Sequence, residues 1–383
     1  MKQLRILHVI PYLSCGGAEI LTANIALQQT NLGHVVKIIC LEIFDETWPN
    51  FPNKEELLSK VEIEIIDDSV VFGLFRKTKI KNSNLIRIVK EFKPNIIHSH
   101  LFLAEIYSRT TIFEDVKYFS HGHDNIIQLK KPHFNSFFSK SNFSNLWERS
   151  WLLKKYKKCN NQFIAISKDV SSYFSNELPF FKNNIHYLPN AINTSIFHHE
   201  RNYEKVNSPF HIVSIANLVA KKNHLFLIPV LEILIKKGFE VTIDVYGAGP
   251  LMDELKLKTK EKGLENKLIF YGSVGDIPEK LKKADLYVHP AWYEPFGLVL
   301  LEAMASGIPV VSLDGHGNRE LIENNKNGFI IPQQMPAEEF ANKIIYFIEN
   351  NSERERMGKY AREFAEKYSI DSYTEKLIDI YSQ

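Results

Sequence analysis

Glu294 and Glu302 are the residues whose setting in this chain most invites a chemical question. They bracket the segment EPFGLVLLE, eight positions apart, around an apolar run with no evident place for charge. The run follows a short β-type stretch, LYVHP (286–290), so Glu294 falls just past a strand end and Pro295–Phe296–Gly297 is predicted to open a helix. The backbone amides of Phe296, Gly297 and Leu298 would then be unpaired donors, able to hold a sugar hydroxyl or a diphosphate oxygen. At about 1.5 Å rise per residue, Glu302 would lie two turns further on, roughly 12 Å away. Two acids so spaced suit separate parts of one long, polyhydroxylated ligand. Each also has a plainer role, Glu294 as a helix cap and Glu302 as the partner of a lysine.

Further candidates sit where other β-rich runs end. IANLVAKKNH (215–224) places Lys221 and Lys222 just past a strand, where a lysine can neutralise phosphate or simply be solvated. SCGGAE (14–19) puts Gly16 and Gly17 at a helix start, a setting that favours an anion; a tight turn is the alternative. Histidines gather as His98 and His100 in HSH and as His121 and His123 in SHGHDN. With Asp124 they are conceivable metal ligands, or polar residues lining a ligand site. The second reading is adopted, and His121 is the one expected to touch substrate. The chain has no Walker sequence and no D-x-D pair, the carboxylates a metal-dependent phosphate site would want. The dinucleotide fingerprint also fails, because Ile20 and, in GAGPLM from Gly247, Met252 stand where a third glycine belongs. Neither a metal nor a cofactor is expected.

Such residues need sheets whose strands end together. RILHVI reads as a strand, GGAEILTANIALQQTNLG as a helix with Gly33 as its C-terminal cap, and VVKIICL as the next strand. NLIRIVKEF with NIIHSH, and WERSWLLKKYKKC with QFIAIS, continue the alternation of βαβ units and a parallel sheet. The pattern pauses in the polar stretch 198–210, the expected linker, and resumes from HIVSIANL to PVVSL. At 383 residues two domains are expected, 1–203 and 204–368, each a doubly wound sheet, facing one another across a cleft. The last segment, 369–383, spaces Tyr373, Leu377 and Tyr381 as one helix face; packing back on the first domain would cover it, as would docking on its own. A hydrophobic share of 44%, a net charge of +2 and three scattered cysteines suit a reduced, cytosolic globular protein and exclude a nucleic-acid binder or a disulfide scaffold. The opening residues are too short an apolar run for a secretion signal, and no run is long enough to span a membrane.

With these residues in view, the sequence resembles glycosyltransferase family 4, retaining enzymes of the GT-B fold that use nucleotide-sugars. EPFGLVLLEAMASGIPVV is similar to that family's E-x7-E motif, and GGAE, HSH, SHGH, AISKDV, LPNAIN, GAGP and NRELI extend the likeness along nearly the whole chain. The resemblance implies that Glu302 binds the ribose of the donor, Glu294 the hydroxyls of the donated sugar, and the amides of Phe296, Gly297 and Leu298 sugar and phosphate. It implies Lys222 at the leaving diphosphate, Gly16, Gly17 and Gly247 in the donor-binding loops, and His121 beside the sugar. Family members often carry an arginine where this chain has Asn217, which shifts leaving-group charge onto Lys222, the helix amides and Arg319 or His316. Front-face displacement without a metal, from a UDP-sugar to a glycan or lipid-linked saccharide, follows from the resemblance. The competing readings are a non-catalytic nucleotide-sugar binder and an epimerase on a similar fold. A membrane-surface acceptor is suggested by WERSWLLKKYKK (147–158), where Trp147, Trp151, Leu152 and Tyr156 stand among Lys154, Lys155, Lys157 and Lys158, and by FGLFRKTKIK (72–81).

Overall fold

The structure, a computed structural model, describes residues 2–42, 48, 51–72, 78–131, 140–198, 201, 203 and 208–383, with the side chains of 72, 78 and 140–144 left aside. It forms two compact units, Met1–Pro189 with Tyr373–Gln383, and Asn190–Ser372. The division falls at Pro189 rather than at residue 203. Tyr203 is buried and its hydroxyl donates to the Gly307 carbonyl at 2.8 Å, which anchors it in the second unit. Residues 199–200, 202 and 204–207 of the expected linker lie outside the described residues.

The first unit contains β1 (Arg5–Ile10), β2 (Val35–Cys40), β3 (Glu62–Ile65), β4 (Ser69–Phe72), β5 (Thr78–Lys81), β6 (Ile96–His100), β7 (Lys117–Gly122), β8 (Gln162–Ala165) and β9 (Ile185–Tyr187). A seven-stranded parallel sheet runs in the order β3-β2-β1-β6-β7-β8-β9, while β4 and β5 pair separately as an antiparallel hairpin. The central strands are buried along nearly their whole length, as a parallel sheet covered on both faces requires. The helix Gly17–Asn31 closes as predicted: the Gly33 amide donates to the Thr30 carbonyl at 2.9 Å, and the His34 amide to Gln29 at 3.1 Å. Below β6, Arg109 and Glu105 form a fully buried pair at 3.2 Å, joined by Ser99, Ser120 and Asn161.

The C-terminal helix Ile370–Ser382 buries Tyr373, Leu377 and Tyr381, and Tyr381 packs edge-on against Phe119 of β7 at 4.7 Å. Its last residues thus complete the first unit. The lysine-rich helix Lys140–Lys158 turns Leu152 and Tyr156 fully into the unit's interior, where the Tyr156 hydroxyl donates to Glu105 at 3.0 Å. Those two side chains are core, a correction to their expected surface role. Lys154, Lys157 and Lys158 stay exposed, and residues 73–77 of the second basic segment lie outside the described residues. Among the described residues no helix is long and apolar enough to cross a membrane.

The second unit holds β10 (Phe210–Ile215), β11 (Val241–Tyr246), β12 (Leu268–Gly272), β13 (Leu286–His289), β14 (Val310–Leu313) and β15 (Gly328–Ile331). They form a six-stranded parallel sheet in the order β12-β11-β10-β13-β14-β15. Strand order reverses between β10 and β13, as it does between β1 and β6 in the first unit. Loops leaving the carboxyl ends of such neighbouring strands diverge and open a crevice for ligand.

Candidate functional site

The reversal in the second sheet accounts for the pairing of residues far apart in sequence. The loop after β10 ends in a short 3-10 turn, Ala220–Lys222, and Asn223 then takes a left-handed conformation (φ 55°) that redirects the chain. The loop after β13 lies against it: the Trp292 amide donates to the Lys221 carbonyl at 3.1 Å and Asn223 Nδ2 to the Pro290 carbonyl at 3.1 Å. This brings the Lys222 ammonium onto Glu294 Oε2, with the two side chains only 14% and 9% exposed. His289, at the end of β13 and fully buried, reaches the same oxygen through Nε2 at 2.9 Å. Glu294 is fixed from behind by its amide, which donates to the Gly315 carbonyl at 2.8 Å.

Burial alone would raise the Glu294 carboxyl, yet Lys222 and His289 outweigh it and hold it well below the usual carboxylate range. Burial keeps His289 neutral against the pull of Glu294. The anion at Glu294 is thus preformed, with Oε2 taken and Oε1 meeting no partner among the described residues. Glu302 is the opposite case. It lies in the helix Leu298–Ala305 and meets no hydrogen-bond or ionic partner among the described residues; burial pushes its carboxyl up to about 7 although its side chain keeps some exposure. An unpaired, partly desolvated acid is a costly arrangement that a ligand carrying hydroxyl donors relieves.

That helix begins at Leu298, not at Pro295 as expected from sequence. Gly297 precedes it with φ 104°, and a Cβ there would come within 2.8 Å of Leu300 and 3.3 Å of Glu294, so glycine is required. Glu294 therefore stands in the loop before the helix rather than on it, paired in a bridge with His316, and the helical 12 Å spacing does not apply. The amides of Phe296, Gly297 and Leu298 meet no acceptor among the described residues, and the helix dipole favours negative charge there.

Two family models match the chain in series, Glycosyltransferase Family 4 over residues 15–196 and Glycosyl transferases group 1 over residues 196–364. The chain belongs to glycosyltransferase family 4. It is 32% identical over 190 residues to the poly(ribitol-phosphate) alpha-N-acetylglucosaminyltransferase of Staphylococcus aureus (strain COL), a match covering 47% of this chain and 38% of that protein. The UDP-Gal:alpha-D-GlcNAc-diphosphoundecaprenol alpha-1,3-galactosyltransferase of Escherichia coli is 24% identical over 83% of this chain and 85% of its own length. The match to the Staphylococcus protein, like that to a Bacillus subtilis (strain 168) poly(glycerol-phosphate) alpha-glucosyltransferase (24% of its length), thus spans well under half of the relative. Among solved structures, Anabaena HepE in complex with UDP and glucose superposes with a TM-score of 0.79 at 20% identity, covering all of both chains. The fold is GT-B.

Within this family 4 chain the remaining candidates fall as follows. Asn217 is exposed in the loop after β10. Gly247 (φ 140°) packs against that loop, since a Cβ would lie 2.0 Å from the Ala216 carbonyl oxygen; close backbone approach accounts for it. Arg319 is paired with Asp314 at 2.8 Å, and His316 is exposed. Lys221 points over the Tyr293 ring at 5.4 Å and not at Glu294.

In the first unit Gly16 caps the helix Gly17–Asn31, and a Cβ on it would meet the Glu19 carboxylate at 2.3 Å. A carboxylate there opposes a phosphate at Gly16; Gly17 is exposed. His121 is buried, stacked on His123 at 4.1 Å and on His98 at 5.1 Å, with the Tyr373 hydroxyl 3.4 Å from its Nε2. His98 and His100 do point to one face, and His8, register partner of His98 on β1, joins them.

Sequence reasoning missed His8 and His289, and marked Tyr381 only as part of a packing face. His289 carried the signal that singled out Glu294, a polar residue at the end of the strand LYVH.

Proposed function

We propose that this chain is a retaining glycosyltransferase that moves a sugar from a UDP-sugar to a glycan or lipid-linked saccharide acceptor in surface polysaccharide synthesis. The observation that carries this reading is the state of Glu294, with one carboxylate oxygen held by Lys222 and His289 and the other left for sugar hydroxyls. Glu302, unpaired and raised to about 7, is suited to the paired ribose hydroxyls. The amides of Phe296, Gly297 and Leu298 take the diphosphate oxygens. The activities of the relatives support the donor and acceptor classes: one uses UDP-Gal and a diphosphoundecaprenol acceptor, others glycosylate phosphate polymers.

In transfer, the bond from the anomeric carbon to the phosphate oxygen breaks and its electron pair stays on the diphosphate. The acceptor hydroxyl oxygen bonds to the same face of the anomeric carbon, and its proton passes to the leaving phosphate oxygen. Lys222 neutralises the growing charge on the diphosphate, and the helix amides share it without reorganising. No step at this site calls on a metal. Gly17 is proposed for the diphosphate and His121, with its partly buried neighbour His123, for the acceptor side. A peripheral contact with an anionic membrane is proposed through Lys154, Lys157 and Lys158, beside the exposed Phe180 ring over which Lys157 lies at 4.7 Å.

A thermal-shift panel of nucleotide-sugars tests the donor, because a specific ligand stabilises by mass action. Turnover of the best ligand with an oligosaccharide acceptor, read by the anomeric coupling of the product, tests retention. A β-linked product, or turnover that appears only on adding magnesium or manganese, would refute the mechanism. Exchange at C2 of the sugar without acceptor would point to an epimerase.

A further inference from the structure

The first unit buries an imidazole cluster that the proposed transfer leaves without a task. His8 on β1 and His98 and His100 on β6 are each 0% exposed, and one ring nitrogen from each lies within 4.8 Å of the other two. His8 Nδ1 and His100 Nε2 are 2.9 Å apart, and the rings of His98 and His100 stack at 4.4 Å. Nitrogens around one tetrahedral zinc at about 2.0–2.1 Å are roughly 3.3 Å from each other. The first pair therefore needs to open only slightly.

The other nitrogen of each ring meets a partner outside the set. His8 Nε2 lies 2.8 Å from Gln29 Oε1, His98 Nδ1 meets the Tyr381 hydroxyl, and His100 Nδ1 lies 3.0 Å from His123 Nε2. Metal-bound histidines donate their second N–H to such partners, which fixes the tautomer and turns the remaining lone pair inward. His98 Nε2, by contrast, is buried without a hydrogen-bond partner among the described residues, a rare state for a polar atom in a folded interior. Burial also keeps all three imidazoles neutral, as ligation requires.

We propose that His8, His98 and His100 bind one divalent first-row cation, zinc by donor set and geometry, as a structural clamp beneath the C-terminal helix. Three neutral nitrogens and no carboxylate disfavour calcium and magnesium. The fourth position falls to water, whose ionisation to hydroxide lowers the buried charge. Because Tyr381 is the partner of His98, binding of the ion and docking of the helix Ile370–Ser382 reinforce one another. A second group, His100, His121 and His123, has similar spacing but includes His123, which is only partly buried. The fully buried set, with an outside partner on every ring, is the better site.

Cobalt(II) titration of the full chain, prepared without a histidine tag and stripped with chelator, tests the assignment. One equivalent is expected to bind with the visible d–d absorption of tetrahedral cobalt and to be displaced by zinc. Zinc at about a hundred times its Kd is expected to raise Tm by about 5 °C or more. His100→Ala should abolish the absorption. Tyr381→Phe and Gln29→Leu, which keep the packing and remove only an outer partner, should weaken binding about tenfold to a hundredfold. They decide the matter if His100→Ala does not fold. His198→Ala, at an exposed site, should titrate like the wild type. Binding below about a tenth of an equivalent, a six-coordinate spectrum, or unchanged titration in Tyr381→Phe and Gln29→Leu would overturn the proposal.

Discussion

Replacing Glu302 by glutamine should stabilise the free protein at neutral pH while weakening its affinity for donor. The folded-state carboxyl is raised from 4.5 to about 7 by burial without a compensating partner among the described residues. The sign follows from proton counting. Between pH 4.5 and 7 the native state holds a proton that the unfolded chain has lost, so stability falls as pH rises through that window and levels off above it. The shift corresponds to at most about 3 kcal/mol, since each pKa unit is about 1.4 kcal/mol; residual exposure of the side chain reduces this to about 1–3. Glutamine keeps the shape and never ionises. Glu302→Gln should therefore melt with the wild type at pH 4.5 and above it at pH 8, by about 2–10 °C for a unit of this size. Calorimetry at both pH values measures the difference. Donor binding runs the other way. Ribose hydroxyls donate to the carboxylate, so wild-type affinity for UDP-glucose should rise with pH up to about 7 and then flatten, the diphosphate diester having no proton to lose in that range. Glu302→Gln should bind about tenfold to a hundredfold more weakly and without that pH dependence. Equal melting shifts at both pH values, or undiminished binding by the variant, would refute the reasoning.

Lys222→Ala should lower kcat by about a hundredfold or more with a much smaller change in KM, because its charge is best used as the diphosphate leaves; steady-state kinetics would expose the reverse pattern of a ground-state anchor. Gly247→Ala should cost at least about 2 kcal/mol in chemical denaturation, since the new methyl would fall 2.0 Å from the Ala216 carbonyl oxygen. Arg109→Ala should cost about 3–5 kcal/mol by stranding buried Glu105, and Arg109→Met with Glu105→Leu less than that; similar losses for both would show that the stranded carboxylate is not the source of the cost. In liposome flotation the chain should bind anionic and not neutral vesicles, reversibly with salt, and Lys154→Glu with Lys157→Glu should weaken it; equal binding to both vesicle types would remove the electrostatic account.

How far the site could be read from sequence depended on which forces act locally. The alternation of strands and helices, the Gly33 cap and the amphipathic face of Tyr373, Leu377 and Tyr381 are set by side-chain periodicity and turn chemistry within a few residues, and all are found in the structure. Lys222 and Glu294 could be marked as candidates because polar residues at strand ends need a reason to be there. That they touch could not be read, since it depends on β10 lying beside β13, a consequence of the order in which strands are laid down and not of any residue in the two loops. The start of the helix was misplaced for a local reason: Pro295–Phe296–Gly297 has the composition of a first turn, but Gly297 spends its freedom on φ 104° to turn the chain, and this moves Glu294 off the helix axis. The histidines carry the same lesson furthest. His98 and His100 announce themselves as a pair, whereas His8 and Tyr381 arrive from opposite ends of the sequence, one by strand pairing and the other by the docking of the last helix. A cluster assembled this way has no linear signature. Its chemistry becomes visible only when the topology that converges on it is known.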